Sequence, residues 1–206
     1  MKLQVALDRI SSQQAIELAQ QIKHVVDILE IGTSLIKDYG MGIVREIHRV
    51  VPDVTLLADI KTMDEGAYEF ESAFAAGSHI ATVMGVAPLA TILACYDVTR
   101  KWKRDLMIDL LETDDTKMAQ LNSLDQALYC IHLPKDEDQA KILLKVQQFY
   151  EHYPHINRVA VAGGITLHQI PALKRLPVEV CVVGSEITQA TNPYAKATAF
   201  RSIMQA

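Results

Sequence analysis

The segment 57–66 carries the residues whose types and spacing are best suited to chemistry. It reads LADIKTMDEG and contains Asp59, Lys61 and Asp64. Side chains alternate faces along a strand, so Asp59 and Lys61 point the same way and Asp64 falls in the following loop. A lysine held between two carboxylates stays charged, can stabilise negative charge on a substrate oxygen, and leaves carboxylate oxygens for Mg²⁺. Spacing alone also allows a surface salt-bridge cluster at a helix start.

Further ionisable residues stand at or near the ends of short apolar runs. They are Asp8, Glu30, Asp109 and His132. A carboxylate inside an apolar run, such as Glu30, needs a cation or hydrogen-bond donors to offset its desolvation. Asp8 has a structural alternative as a helix cap ahead of Ser11, and His132 has one as a packed core histidine.

The elements that must position these groups alternate between strands and helices along the chain. The predicted strands are 3–8, 26–31, 55–59, 80–84, 106–110, 127–132, 158–162 and 178–183. Most are apolar on both faces, which suits parallel strands covered by helices. Eight βα units in 206 residues, with no segment left over, favour an α/β fold with one (β/α)₈ TIM barrel domain over 1–206. An open doubly wound sheet is the alternative.

A barrel gathers its active site at the C-terminal ends of its strands, so the ionisable groups above are expected to converge on one mouth. Near the C-terminus, 160–165 (AVAGGI) and 182–185 (VVGS) each run from a buried strand through glycine towards a helix. Glycine lets backbone N–H groups approach an anion closely, and barrels commonly bind phosphate after their last two strands. The two patterns together predict a phosphate site.

Composition excludes several classes of partner. Lys and Arg number 20 against 25 Asp and Glu, and a net charge of −5 offers no footprint for nucleic acid or an anionic membrane. Cys95, Cys130 and Cys181 fit no zinc or redox spacing and are expected to be buried, as in a cytoplasmic protein. Asp8 interrupts the N-terminal apolar run too early for it to be the apolar core of a signal peptide. The uncharged segment 74–96 is broken by Gly, Ser and Pro, which predicts a helix end, a strand and a helix start rather than a membrane span.

Five segments together resemble 3-hexulose-6-phosphate synthase, which lies beside 3-keto-L-gulonate-6-phosphate decarboxylase in the orotidine 5′-monophosphate decarboxylase superfamily. They are VALD at 5–8, EIGT at 30–33, LADIKTMD at 57–64, VAGGI at 161–165 and VGS at 183–185. The likeness runs in order along essentially the whole chain. Its Asp-x-Lys-x-x-Asp element is specific to the superfamily, and Lys-Thr-Met-Asp is closer to the synthase, because the decarboxylase more often has Lys-Ile-Ala-Asp.

The resemblance implies a Mg²⁺-dependent lyase, with Mn²⁺ as a second suitable metal, that joins formaldehyde to D-ribulose 5-phosphate and gives D-arabino-3-hexulose 6-phosphate. Glu30 and Asp59 match the metal contacts of such enzymes. Lys61 and Asp64 match a catalytic charged pair, and His132 matches an acid or base that handles the enediol proton.

The resemblance also implies how the substrate is held and how the enzyme assembles. Asp8 matches a contact to a substrate hydroxyl, and Asp109 at the same mouth is assigned to substrate binding. Gly164, Gly184 and Ser185 match the phosphate contacts. The family implies a homodimer with shared active sites, in which the neighbouring subunit lends the residue matching Asp64. Met41, Ile60 and Met63 lie near the proposed site, where a partner subunit would cover them.

One segment departs from the synthase pattern. After the sixth strand the synthases usually read His-Thr-Gly or His-Ala-Gly and then Asp, whereas this chain reads HLPKDED at 132–138. Pro134 removes a backbone donor and stiffens this loop. The decarboxylases often carry Arg three residues after the histidine, where Lys135 stands here, so the decarboxylase is the alternative function. A barrel that binds a sugar phosphate without catalysis is a further alternative, although the charged set is intact.

Overall fold

The computed structural model is a closed barrel of eight parallel strands, and it describes residues 1–134, 137–138 and 141–206. The strands are β1 (Lys2–Leu7), β2 (Ile28–Ile31), β3 (Thr55–Thr62), β4 (Ile80–Met84), β5 (Asp105–Asp109), β6 (Leu128–His132), β7 (Val159–Ala162) and β8 (Val180–Val183). The α-helices of the described residues are α1 (Ser12–Ile22), α2 (Thr33–Tyr39), α3 (Met41–Val50), α4 (Gly66–Ala75), α5 (Leu89–Trp102), α6 (Asp115–Leu121), α7 (Ile142–His152), α8 (Ile170–Leu173), α9 (Ser185–Thr188) and α10 (Pro193–Gln205).

The sheet closes because β1 pairs in parallel with both β2 and β8, with Lys2 opposite Val180. The predicted (β/α)₈ barrel is therefore confirmed over the open sheet. All eight predicted strands are present, and β3 departs most from its predicted bounds. It continues past Asp59 to Thr62 through an irregular stretch in which its register with β4 shifts between Ala58 and Thr62.

The core is divided into two layers by the alternation of side chains along the strands. Inside the barrel, small and medium apolar side chains fill the space between the strands. They are Ala6, Ile28, Leu57, Ile80, Met107, Leu128, Cys130, Ala160, Ala162, Val180 and Val182. Outside it, the other face of each strand packs against the helices in a larger cluster that includes Leu7, Phe70 and Phe200. Both faces are buried, which explains why the strands read as continuous apolar runs.

Helix starts follow the expected signals. The Ser11 side chain accepts a hydrogen bond from the Gln14 N–H, and the Gln14 side chain reaches back in a capping box. Pro88 directly precedes α5, and Pro171 lies in the first turn of α8. Gly40 joins α2 to α3 with a φ of 61°, a left-handed conformation that glycine adopts without a steric penalty.

The uncharged segment 74–96 divides as predicted into the end of α4, all of β4 and the beginning of α5. Within residues 1–134, 137–138 and 141–206, no helix has both the length and the apolar character needed to cross a bilayer.

The three cysteines are buried and free, as predicted. Burial raises the pKa of the Cys95 and Cys181 thiols to about 12, and it also raises the pKa of the Cys130 thiol. Because the thiolate is the reactive form, these cysteines are packing residues.

Candidate active site

A cavity of about 610 Å³ lies at the C-terminal ends of the strands. Each parallel strand delivers its last residues to this end, so side chains far apart in sequence meet there. The predicted site residues that line the cavity are Asp8, Glu30, Asp59, Lys61, Asp109, His132, Gly164, Gly184 and Ser185. Asp64 is the predicted site residue that this cavity does not include.

Lys61 is held between two carboxylates, but one of them differs from the spacing-based expectation. Its Nζ lies 3.1 Å from Asp59 Oδ2 and 2.7 Å from Asp109 Oδ2. Asp64 is exposed, and its Oδ1 accepts a hydrogen bond from the Glu65 N–H at 2.8 Å. The pairing of Lys61 with Asp64 is therefore wrong within one chain. Local spacing could not reveal Asp109, because the closed sheet brings it from β5.

The backbone at Lys61 adopts a strained conformation that the surrounding residues hold in place. Its φ is 49°, in the left-handed region that non-glycine residues rarely adopt. The Lys61 N–H donates to Thr82 Oγ1 at 2.9 Å, and Thr82 Oγ1 donates to Asp59 Oδ1 at 2.8 Å. Thr82 thus fixes both the lysine backbone and the neighbouring carboxylate.

Asp59 is buried and held from a second side by the first residue of α2. Thr33 Oγ1 donates a hydrogen bond to Asp59 Oδ2 at 2.8 Å. With Lys61 on the same oxygen and Thr82 on the other, both carboxylate oxygens have donors. These contacts fix the orientation of the carboxylate.

The charges of the site offset the cost of burying them. Burial works against the charge on Lys61, but Asp59 and Asp109 outweigh it and raise the pKa of Lys61 above its ordinary value. Burial likewise works against the charge on Asp109. The hydrogen bond from His132 and the charge of Lys61 outweigh it and lower the pKa of Asp109 to about 2. At neutral pH the Lys61 ammonium therefore lies beside an ionised Asp109.

His132 is oriented by Asp109. Its Nδ1 lies 2.9 Å from Asp109 Oδ2, the same oxygen that binds Lys61. An ionised carboxylate only accepts hydrogen bonds, so Nδ1 carries the proton in this pair. In the neutral ring that leaves Nε2 as a proton acceptor. His132 lines the cavity and is half-buried, which separates it from a packed core histidine.

Asp8 does not cap the helix that follows it, because Ser11 caps α1. Its Oδ1 instead accepts hydrogen bonds from the Ser34 N–H at 3.2 Å and from Ser34 Oγ at 2.7 Å, in the first turn of α2. The helix-cap alternative ahead of Ser11 is thus wrong, and Asp8 ties β1 to α2 across the mouth. A side chain at Gly32 would overlap the Asp8 carboxylate, so this arrangement requires glycine there.

Glu30 is the carboxylate of the site whose charge is least compensated. Burial, reinforced by the charge of Asp59, raises its pKa to about 8, and Gln4 Nε2 donates to its Oε2 at 2.6 Å. The described residues contain no group of three or more His, Cys, Asp or Glu that could hold a metal ion. Mg²⁺ commonly takes one or two carboxylates and fills its shell with water and substrate oxygens. Glu30 and Asp59 fit that chemistry.

The opposite side of the mouth contains the glycine loops after β7 and β8. Gly163 and Gly164 have φ values of 112° and 52°. A Cβ at Gly163 would overlap the Leu133 carbonyl, so close packing also requires glycine there. A Cβ at Gly184 would meet no atom within 4 Å, which leaves the backbone after β8 open to the cavity.

Sequence reasoning missed the residues that hold the charged ones. Thr33, Ser34 and Thr82 read as ordinary strand or helix residues, and only their contacts reveal their role. Gln4 did carry a signal, since it is a polar residue inside an otherwise apolar run. Lys135, which favoured the decarboxylase alternative, lies outside the described residues.

Comparison with known proteins identifies the family of this chain. The model of the orotidine 5′-phosphate decarboxylase / HUMPS family matches residues 1–200. The chain belongs to this family. The 3-hexulose-6-phosphate synthase of Mycobacterium gastri is 34% identical over 205 residues, covering 98% of this chain and 99% of the relative. The predicted resemblance is confirmed.

Solved structures share the whole fold. A 3-hexulose-6-phosphate synthase from Salmonella typhimurium superposes with a TM-score of 0.93 at 28% identity, covering 100% of this chain and 99% of that one. A 3-keto-L-gulonate-6-phosphate decarboxylase from Vibrio cholerae has a TM-score of 0.89 at 24% identity, over 99% and 97% of the two chains, and shows likeness of fold alone. Together with the sequence relatives, these findings bear out the prediction of an enzyme, a carbon–carbon lyase.

Proposed function

We propose that this enzyme is a metal-dependent aldolase that condenses formaldehyde with D-ribulose 5-phosphate to give D-arabino-3-hexulose 6-phosphate. The observation that carries the proposal is the position of Lys61, fixed between Asp59 and Asp109 beside His132. Such a cluster suits a reaction that removes a proton next to a carbonyl and leaves negative charge on oxygen. The curated relatives with this name support the choice of reaction.

His132 is the group that moves the proton. Its Nε2 takes a proton from C1 of the sugar phosphate, and the electron pair left behind forms the enediolate. C1 then forms the new carbon–carbon bond to formaldehyde, and the proton returns to the oxygen that formaldehyde contributes. Asp109 holds the ring by its Nδ1–H, so that Nε2 faces the cavity as a base.

Lys61 stabilises the enediolate oxygen with a charge that is already in place. Because Asp59, Asp109 and Thr82 fix its position, little reorganisation is needed when the negative charge develops. Glu30 and Asp59 are the carboxylates that would hold Mg²⁺ or Mn²⁺. When bound, such a cation polarises the carbonyl and lowers the barrier to enolisation by several kcal/mol.

The glycine loops after β7 and β8 would bind the phosphate, with Gly164, Gly184 and Ser185 lining their side of the cavity. Asp8 would contact a hydroxyl of the sugar. Its Oδ1 is taken by Ser34, so Oδ2 is the oxygen we assign to substrate.

A homodimer would complete the site. Asp64 is exposed outside its own cavity, as expected of a residue that contacts a neighbouring active site. Met63 beside it has 47% of its surface exposed, a large apolar side chain for a partner to cover. Sedimentation velocity at micromolar concentration should give a dimer. A fully active monomer would contradict the shared site.

The reaction is tested by supplying purified protein and Mg²⁺ with ribulose 5-phosphate plus formaldehyde, and separately with 3-keto-L-gulonate 6-phosphate. We expect hexulose phosphate from the first mixture and much slower CO₂ release from the second. The reverse order would make the enzyme a decarboxylase, and no turnover of either would favour a non-catalytic sugar-phosphate-binding barrel.

Metal dependence is tested in the same assay. Treatment with EDTA should abolish the activity, and Mg²⁺ or Mn²⁺ should restore it, because Glu30 and Asp59 need a hard cation between them and the substrate. Full turnover by rigorously metal-free protein would contradict the assignment of these two residues.

A further inference from the structure

Gln4 is a polar side chain in the apolar floor of the cavity. It lies on β1, is 1% exposed, and stands in register with Ile28 on β2 and Val182 on β8. The buried layer inside the barrel is otherwise apolar and includes Leu57 and Met107. An amide in this layer needs an explanation, because an apolar side chain of the same size would avoid its desolvation.

The Gln4 amide contacts one functional group. Its Nε2 donates to Glu30 Oε2 at 2.6 Å. In residues 1–134, 137–138 and 141–206, this is the one hydrogen bond to the Glu30 carboxylate, whereas Asp59 is held by Thr33, Thr82 and Lys61. The orientation of Glu30 therefore depends on Gln4.

The rest of the amide indicates that filling space is not its role. Gln4 Oε1 is buried and has no hydrogen-bond partner among the described residues. A buried acceptor without a hydrogen bond lowers stability, and an apolar packing residue at this position would not carry that cost. Ala6, which lies opposite Glu30 and on the same face as Gln4, is small enough to let the glutamine reach up to the carboxylate.

We propose that Gln4 is a positioning residue for the divalent cation. By binding Glu30 Oε2 it fixes the plane of the carboxylate and leaves Glu30 Oε1 to the metal. A hydrogen bond from an outer residue to a metal-binding carboxylate typically changes metal affinity by about 10- to 100-fold. The inference rests on the metal assignment in the proposed function and names a residue that acts through Glu30, without touching the substrate.

The test is direct Mn²⁺ binding, measured by titration calorimetry and by the electron paramagnetic resonance signal of free Mn²⁺. Gln4→Met keeps the size of the side chain and removes its donor, and should weaken Mn²⁺ binding by about 10- to 100-fold. Met107→Leu, a volume-conserving change in the same apolar floor, is the matched control and should bind Mn²⁺ as the parent does. At saturating Mn²⁺, kcat of Gln4→Met and its KM for ribulose 5-phosphate should return close to the parent values.

A folded Gln4→Met protein that binds Mn²⁺ as tightly as the parent would overturn the proposal. If that variant fails to fold, Gln4→Leu is measured in its place against the same criterion. A parent protein that binds no Mn²⁺ would overturn both this inference and the metal assignment. A parent that binds Mn²⁺ but forms no hexulose phosphate would overturn the proposed reaction alone, and the affinity ratio would still judge Gln4.

Discussion

The mouth of the barrel has two halves built on different principles. The charged half consists of Asp8, Glu30, Asp59, Lys61, Asp109 and His132, at the ends of β1, β2, β3, β5 and β6. The glycine half consists of Gly163, Gly164 and Gly184, after β7 and β8. In the charged half, side chains are fixed by hydrogen bonds to one another or to supporting residues such as Gln4 and Ser34. In the glycine half, the three glycines let the backbone itself face the cavity.

The difference separates chemistry from binding. Groups that stabilise a developing charge must be desolvated and held rigidly, and each then needs an opposite charge or a donor to offset its burial. A backbone that receives a phosphate needs only an open approach. Changes in the charged half should therefore lower kcat, and changes in the glycine half should raise KM.

The largest effect is expected at Lys61. Lys61→Ala leaves Asp59 and Asp109 facing the enediolate without their cation, which should raise the barrier by roughly 3 to 5 kcal/mol. In steady-state kinetics kcat should fall by about 10² to 10³ or more, while KM for the sugar phosphate moves much less.

Lys101 provides the control for Lys61. It also forms an ion pair, with Glu71 Oε1 at 3.0 Å, but 71% of its side chain is exposed. Lys101→Ala should change stability by less than about 0.5 kcal/mol and leave turnover intact. If the two alanine variants, both folded by circular dichroism, retain similar activity, Lys61 is not part of the chemistry.

A smaller loss is expected at Asp109. Asp109→Asn keeps the shape of the side chain but removes the charge that holds His132 and Lys61, so kcat should fall by about 10- to 100-fold. Asp105→Asn is the control on the same strand, since Asp105 pairs with Arg158 near the start of β5, away from the mouth. Equal kcat values for the two variants would contradict the role of Asp109.

The smallest effect on turnover is expected in the glycine half. The Cβ added by Gly184→Ala would have no other atom within 4 Å, so this variant should fold normally. If the phosphate lies against this backbone, the added methyl group should raise KM by about tenfold, or 1.4 kcal/mol, with little change in kcat. Gly163→Ala is the contrasting change. The alanine would have to adopt a φ of 112°, and its Cβ would overlap Leu133, so this variant should lose about 1 to 3 kcal/mol of folding stability. An unchanged KM in Gly184→Ala would place the phosphate elsewhere.

The same division explains what could be predicted from the sequence. The strand pattern predicted the barrel, and the barrel brought Glu30, Asp59 and His132 to one mouth because every strand ends there. The glycines were predictable for the same reason. The partner of Lys61 was not, since Asp109 is adjacent only after the sheet has closed and Asp64 is nearer in sequence.

The irregular backbone of β3 and the polar residues that support the site could not be predicted from the sequence either. Alternation along a regular strand correctly predicted that Lys61 faces the barrel mouth. In the structure, however, the register of β3 with β4 shifts in this stretch and Lys61 itself has a left-handed backbone conformation. Thr82 holds that conformation from another strand, by a contact that no local pattern encodes.

In the proposed mechanism, the charged half enolises the sugar phosphate with Lys61 as its fixed cation. That step can be tested alone by monitoring, with proton NMR, the exchange of a C1 proton of ribulose 5-phosphate with solvent. The experiment is run in D₂O with Mg²⁺ and without formaldehyde. The parent enzyme should replace the C1 proton with deuterium, and Lys61→Ala should do so at least about 100-fold more slowly, in line with the barrier expected for the lost cation. Exchange by folded Lys61→Ala at the parent rate would contradict the account.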